Sequence, residues 1–300
     1  MCTRPQPWQL PQKSMQGSKG ITVPCGRCRE CKKLRATQWA FRIEQETKRS
    51  KMTPMFTLTY NDDHIPWVHD QVTGKKRFTL QYYDMTHFIK RVRDYQRRQL
   101  NSNDKLKYYY SAEYGSKHHR PHYHIVFFNL NIHHLSITQR YDLIHSLWGK
   151  GHVHIGKNNN MANAGYITHY TNKEPPFGRK YCENRGIQPE KHQMSQGFGD
   201  NYIEKMGDYH RADPKTRYTV RRNDGKIINM PRYYLERIFN KQDQLTIAKI
   251  KIKDYEDKQN KTDDIYKPTT TKYFELQETR RRHKERQDEQ TKQSRSNDEQ

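Results

Sequence analysis

Apolar side chains are scarce in this chain and come in short runs, which limits it to one modest core surrounded by polar sequence. Only 32% of its 300 residues are hydrophobic and the mean hydropathy is −1.28. The buried volume must therefore be gathered from a few strongly patterned segments. Ala36, Trp39, Ala40 and Ile43 recur at helical spacing. Pro54 to Tyr60 has the β-branched and aromatic content of a strand, closed by the turn residues Asn61, Asp62 and Asp63. Asp84 is placed to cap a helix whose Met85, Phe88, Ile89 and Val92 share one face, with Lys90, Arg91, Arg93, Arg97 and Arg98 on the rest. Leu106 to Glu113 and His122 to Asn129 predict two strands of an antiparallel hairpin. Ser136 and Gln139 read as a capping box that opens a helix through Ile137, Tyr141, Ile144 and Trp148, stopped by Gly149. A short strand is expected from His152 to Gly156. A helix opened by Asn160 is then expected to run to Lys173, ahead of Pro175 and Pro176.

Strand, helix, strand, strand, helix, strand, helix is an order that suits the α+β class, an antiparallel sheet with helices packed on it. The chain is expected to divide into a cysteine-rich N-terminal segment and helix over 1–50, a core over 51–175 and an accessory part over 176–240. In that accessory part Asp224 and Gly225 turn a hairpin. A charged, flexible tail over 241–300 completes the division, because it holds too few apolar residues to offset the entropy of ordering.

Lysine and arginine number 56 against 33 acids, a formal charge of +23, so polyanions should be attracted and nucleic acid is the first partner to consider. No stretch approaches the roughly 20 apolar residues of a membrane span, and no secretory leader is visible. Three of the five cysteines lie in Cys25-Gly-Arg-Cys28-Arg-Glu-Cys31, too close for a secreted disulfide framework and suited to a reducing cytoplasm. Three thiolates at this spacing could hold a structural Zn²⁺, with Cys2 as a fourth ligand; reduced thiols are the plainer alternative.

His122 and His124 stand two apart on the second hairpin strand, where alternation puts both imidazoles on one face. With 16 histidines in the chain, spacing alone decides nothing, and His152-Val153-His154 repeats it. Context separates the two pairs: if His122 lies opposite Glu113, the carboxylate joins the same face. Two imidazoles and a carboxylate with open positions suit Mn²⁺ or Mg²⁺ acting on a phosphate. Hydrogen-bonded sheet residues are the alternative. Tyr166 and Tyr170 are four apart, so on a helix both phenols project from one side. Beside a metal-bound phosphate a tyrosine can be a nucleophile, with Lys173 in position to assist.

The conjunction of a first strand, a Glu-hairpin-His-x-His unit, a helix and strand, and a Tyr-x-x-x-Tyr segment resembles the replication-initiation proteins of the Microviridae. These are small tailless single-stranded DNA phages, and the likeness is to their gokushovirus-like branch, within the HUH endonuclease superfamily. Four stretches carry it: Phe56 to Tyr60, Ser111 to Gly115 through Arg120 to His124, Tyr166 to Lys173, and the cysteine run from Pro24. It covers roughly 20 to 240, including Met230 to Tyr234. The resemblance implies an HUH, RRM-like core in which His122, His124 and Glu113 hold the metal and Tyr166 and Tyr170 are the nucleophiles. His152 and His154 match no ligand position. His169 departs from the family, where Lys or Arg often precedes the second tyrosine.

The implied activity is rolling-circle initiation in the host bacterial cytoplasm. One tyrosine opens single-stranded or supercoiled origin DNA through a 5′-phosphotyrosine, the 3′ hydroxyl primes synthesis, and the second closes the circle. Host helicase and polymerase are the implied partners, since the chain shows no phosphate-binding Gly-Lys loop of its own. The competing readings are a non-catalytic, zinc-stabilised nucleic-acid-binding protein and a related HUH relaxase or transposase. Relaxases usually carry their nucleophile upstream of the histidines, so the downstream tyrosines favour replication.

Overall fold

A computed structural model describes residues 6–7, 22–23, 25–26, 28–100, 102, 104–156, 177–265, 278 and 282. They fall into two compact units, one within Met1–Gln38 and Gly207–Gln293, the other within Trp39–Met206. Two short strands, β1 (Gln6–Pro7) and β2 (Thr22–Val23), pair with each other, and α1 spans Arg29–Arg49.

The second unit is built on a sheet. Its strands are β3 (Met55–Tyr60), β6 (Lys107–Tyr114), β7 (Pro121–Phe128), β8 (Gly151–Ile155) and β9 (Lys191–Met194), in the order β8-β3-β7-β6-β9 with every neighbouring pair antiparallel. A separate hairpin of β4 (Trp67–His69) and β5 (Lys76–Phe78) follows β3. Helices α2 (Tyr82–Arg98) and α3 (Ile137–Trp148) cover one sheet face, and α4 (Arg179–Arg185) leads into β9. The expected α+β architecture is thus observed, with a fifth strand at the edge. The hairpin and β9 were not read from the sequence, because Trp-Val-His, Lys-Arg-Phe and Lys-His-Gln-Met are too short and too polar to register as strands.

Alternation along each strand sorts the core. Phe56, Leu58 and Tyr60, with Tyr123, Ile125 and Phe127 and with Tyr110, Ala112 and Tyr114, face the helices and pack on Met85, Phe88, Val92, Ile144 and Trp148. Removing the Phe88 ring would cost about 3–5 kcal/mol in such a setting. On the opposite face, Met55, Tyr109, Val126 and Phe128 pack with Ile43 and Trp39 of α1 and with Phe198. This second apolar patch occupies only one end of that face.

Local chemistry explains how the elements start and stop. Ser136 and Gln139 form the expected capping box, and Gly149 ends α3 at φ +62. Gly151, at φ +143, lies so close to β3 that an added Cβ would stand 2.2 Å from the Asn61 nitrogen. Asp84 does not cap α2. The helix starts two residues earlier, with Gln81 at its cap, and the Tyr123 hydroxyl holds both the Gln81 amide and carbonyl. Asp84 instead accepts from the Tyr60 hydroxyl at 2.9 Å and pairs with Lys150. A buried ion pair fixes the start of β6: Lys107 reaches Glu46 at 3.0 Å and Asp200 at 2.9 Å. Breaking such a pair on one side is strongly destabilising, and its position helps set the register that brings Glu113 to the other end of β6.

In the other unit, α5 (Asn201–Arg211) leads into the hairpin of β10 (Thr219–Arg221) and β11 (Ile227–Asn229), which Asp224 and Gly225 turn as expected. Helices α6 (Arg232–Ile238) and α7 (Lys241–Ile265) follow. Val220, Met230, Tyr234, Ile238, Phe239 and Ile247 are its buried apolar residues. The stretch expected to be tail from residue 241 therefore begins as a helix. No helix among the described residues is long and apolar enough to cross a membrane.

Candidate metal centre

The β6–β7 hairpin pairs Glu113 with His122 and Ser111 with His124. Directly opposed residues share a face, so the carboxylate and both imidazoles come together. One ligand atom from each of Glu113, His122 and His124 lies within 4.8 Å of the others. The two histidine ring centroids are 5.0 Å apart with planes at 89°. Glu113 and His124 are buried, 3% and 7% exposed, and His122 is half-buried. The site therefore opens to solvent on the His122 side.

Neighbouring groups orient each donor. The Arg120 carbonyl lies 3.1 Å from His122 Nδ1; a carbonyl only accepts, so Nδ1 carries the proton and Nε2 keeps its lone pair. Thr57 Oγ1 stands 2.9 Å from His124 Nδ1, and Ser111 Oγ donates to Glu113 Oε1 at 2.8 Å. Arg120 ties the hairpin turn to the end of β3 through the Tyr60 carbonyl and Asp62. Two nitrogens and a carboxylate oxygen, each braced from behind, fit a divalent cation of the Mn²⁺ or Mg²⁺ kind. Sequence reasoning missed Thr57, Ser111 and Arg120. The register of β3 against β7 is what brings Thr57 in, and nothing in the local sequence marks it.

The same registers explain the second His-x-His pair. Thr57 lies between His124 and His154, and Thr59 between His122 and His152. All these residues share one face, but His152 and His154 stand two strands from the donors, about 10 Å away at ordinary strand spacing. They are exposed and extend the polar surface beside the centre without joining it. His192 of β9 continues the row on the other side, opposite Ser111.

Tyr166, Tyr170, Lys173 and His169, with the helix expected from Asn160, lie outside the described residues, as does Cys2. The other three cysteines are brought together: the sulfurs of Cys25, Cys28 and Cys31 lie within 4.8 Å of one another. Gly26 turns the chain between the first two at φ +72, and the Cys28 amide donates to Cys25 Sγ at 3.3 Å. An amide directed at sulfur favours the thiolate, which is the metal-binding form.

The family of replication-associated proteins of the ORF2 type matches residues 53–175, which contain the whole Glu-His-His cluster. Replication-associated protein ORF2 of Spiroplasma virus 4 is 32% identical over 244 residues, covering 77% of this chain and 72% of that protein. This chain belongs to the replication-associated proteins of the Microviridae. Replication-associated protein VP4 of Bdellovibrio phage phiMH2K is 29% identical over 227 residues, 71% of this chain and 66% of its own length. Replication-associated protein ORF4 of Chlamydia phage 1 is 25% identical over 226 residues, 71% of this chain and 52% of its own length. No solved structure matches this replication-associated protein. Its place in phage DNA replication accounts for the charge of +23, since a replication protein must hold a polyanion.

Proposed function

We propose that this chain initiates rolling-circle replication by nicking and rejoining one strand of phage origin DNA. The observation that supports this most is the Glu113, His122 and His124 cluster, which is held on strand backbones and open on one side. A divalent cation held by these residues would draw charge from the scissile phosphate and polarise it toward attack. Glu113 and the two Nε2 atoms supply the donors, while Ser111, Thr57 and the Arg120 carbonyl keep them oriented. Tyr166 or Tyr170 supplies the nucleophile: its phenolic oxygen bonds to phosphorus, the bond to the 3′ oxygen breaks, and the phenol proton ends on that oxygen. The phosphodiester energy stays in the 5′-phosphotyrosine, so the second tyrosine's turn and the closing attack need no nucleotide. Lys173 would steady the phosphate. Cys25, Cys28 and Cys31 would hold a structural Zn²⁺, with Cys2 a candidate fourth ligand, and Arg29, Lys33 and Arg35 exposed nearby would meet backbone phosphates.

The test is incubation of the full chain with a labelled single-stranded origin oligonucleotide and Mn²⁺. A covalent adduct should form, require metal, persist in at least one of Tyr166→Phe and Tyr170→Phe, and vanish in the double variant. Strand binding with no adduct on a verified origin would instead favour a non-catalytic nucleic-acid-binding protein.

A further inference from the structure

The β4–β5 hairpin puts its large side chains on the wrong side for a core. Trp67 is 45% exposed and Phe78 37%, and they are directly paired across the strands, as are His69 and Lys76. These four exposed residues therefore share one face. Lys76 Nζ sits 3.9 Å from the Trp67 ring centroid, and the His69 ring meets Trp67 edge-on at 5.2 Å.

The aromatic pair is not required to hold the hairpin. Asp70, buried at the turn, accepts from the Val72 and Thr73 amides and pairs with Arg77 and Arg185. The Thr79 amide donates to the Pro66 carbonyl at 3.0 Å, and the Gln71 amide reaches the Arg185 carbonyl. The inner face is thus tied down by ion pairs and backbone bonds, while the outer face carries two aromatic rings and Lys75 and Lys76. Asp70 is the only acid between Pro66 and Phe78, and its charge is neutralised from within. The hairpin also leaves the sheet from the C-terminal end of β3. That is the end of the sheet at which Glu113 of β6 and His122 of β7 lie, because β3 and β6 each run antiparallel to β7.

We propose that Trp67 and Phe78 form a base-stacking platform that, with Lys75, Lys76 and His69, grips unpaired DNA as it runs to or from the metal centre. Every base offers a π-face, so stacking on such a pair is tolerant of sequence, and the flanking cations match the phosphates between the bases. The proposal rests on reading the chain as one that acts on a single strand, and it deepens that reading by saying where the strand is held.

The full chain, free of divalent metal, is titrated by anisotropy with a thymidine oligonucleotide and with an abasic oligonucleotide of equal length. The parent protein should prefer the strand with bases. Trp67→Leu with Phe78→Leu keeps an apolar cross-strand pair but removes both rings, and should weaken binding of the thymidine strand about 10- to 100-fold while leaving the abasic strand unchanged. Trp67→Tyr, which keeps a ring, should retain most of the preference, and protected Val72 and Thr73 amides would show that the hairpin persists in each variant. The platform is overturned if the parent does not distinguish the two strands, or if the leucine variant matches the parent with its hairpin intact. Adduct formation is scored separately: a parent that stacks bases but forms no adduct keeps the platform and loses the nickase, and the reverse result loses the platform alone.

Discussion

The Glu113, His122 and His124 donors come from two strands of a five-stranded sheet, whereas Cys25, Cys28 and Cys31 come from one turn and the first residues of a helix. In the first case the backbone is already fixed by ladders on both sides of β7 and by the aromatic core beneath it. The cation adds chemistry to a site that folds without it. In the second case the three sulfurs are gathered within seven residues, ahead of a helix whose early positions Lys33, Leu34 and Arg35 are exposed. There, any bound ion contributes to folding itself, because few apolar contacts replace it. A donor set can thus look alike in chemistry and differ in whether the fold or the ligand comes first.

The largest effect expected from that difference is on catalysis. His124→Ala and His122→Ala should each slow adduct formation about a thousandfold, the equivalent of losing several kcal/mol of phosphate polarisation, while the thermal midpoint barely moves. A midpoint that collapses along with activity would mean that the sheet does not preform the site. The converse experiment removes the cysteine ligands. Cys28→Ser should abolish stoichiometric zinc in the purified chain and expose the stretch around residues 25–38 to protease. Nicking of a short oligonucleotide should survive; if it is lost with zinc, the two clusters are not independent.

A smaller effect is expected from the groups behind the donors. Thr57→Val and Ser111→Ala leave all three donors in place but free them to rotate, and should weaken Mn²⁺ affinity about 10- to 100-fold by calorimetry. Unchanged affinity would mean that strand geometry alone orients the site. The smallest concerns the hairpin that follows β3. Burial works against the charge on Asp70, but the Val72 and Thr73 amides, Arg77 and Arg185 outweigh it and hold the carboxyl at about 2. A depressed carboxylate contributes stability above its unfolded value near 3.9 and loses it as pH falls toward the folded value. Amide protection at Val72 and Thr73 should therefore fade between about pH 4 and pH 2, and Asp70→Asn should remove that dependence.

How much of this was legible depended on how local the signal was. Met85, Phe88, Ile89 and Val92 announce α2 through spacing alone, and Ser136 with Gln139 announces the start of α3 because a capping box lies within four residues. Asp84 misled because a good capping residue was outcompeted by a distant one: the Tyr123 hydroxyl, far along the chain on β7, took over the helix start. The Glu-His-His cluster was partly legible, since His122 and His124 share a face in any strand but Glu113 joins them only in one register. Its braces were not legible at all, because Thr57 meets His124 across 67 residues of chain.

By itself the sequence determined the secondary-structure order, the basic character and the identity of the donor side chains, because propensity, net charge and ligand chemistry belong to individual residues and their near neighbours. Only the tertiary structure decided which of two His-x-His pairs stands with a carboxylate and which lies two strands away. It also decided that Trp67 and Phe78 face solvent together. Both outcomes depend on strand register, which is settled by the packing of the whole sheet and by no single stretch within it.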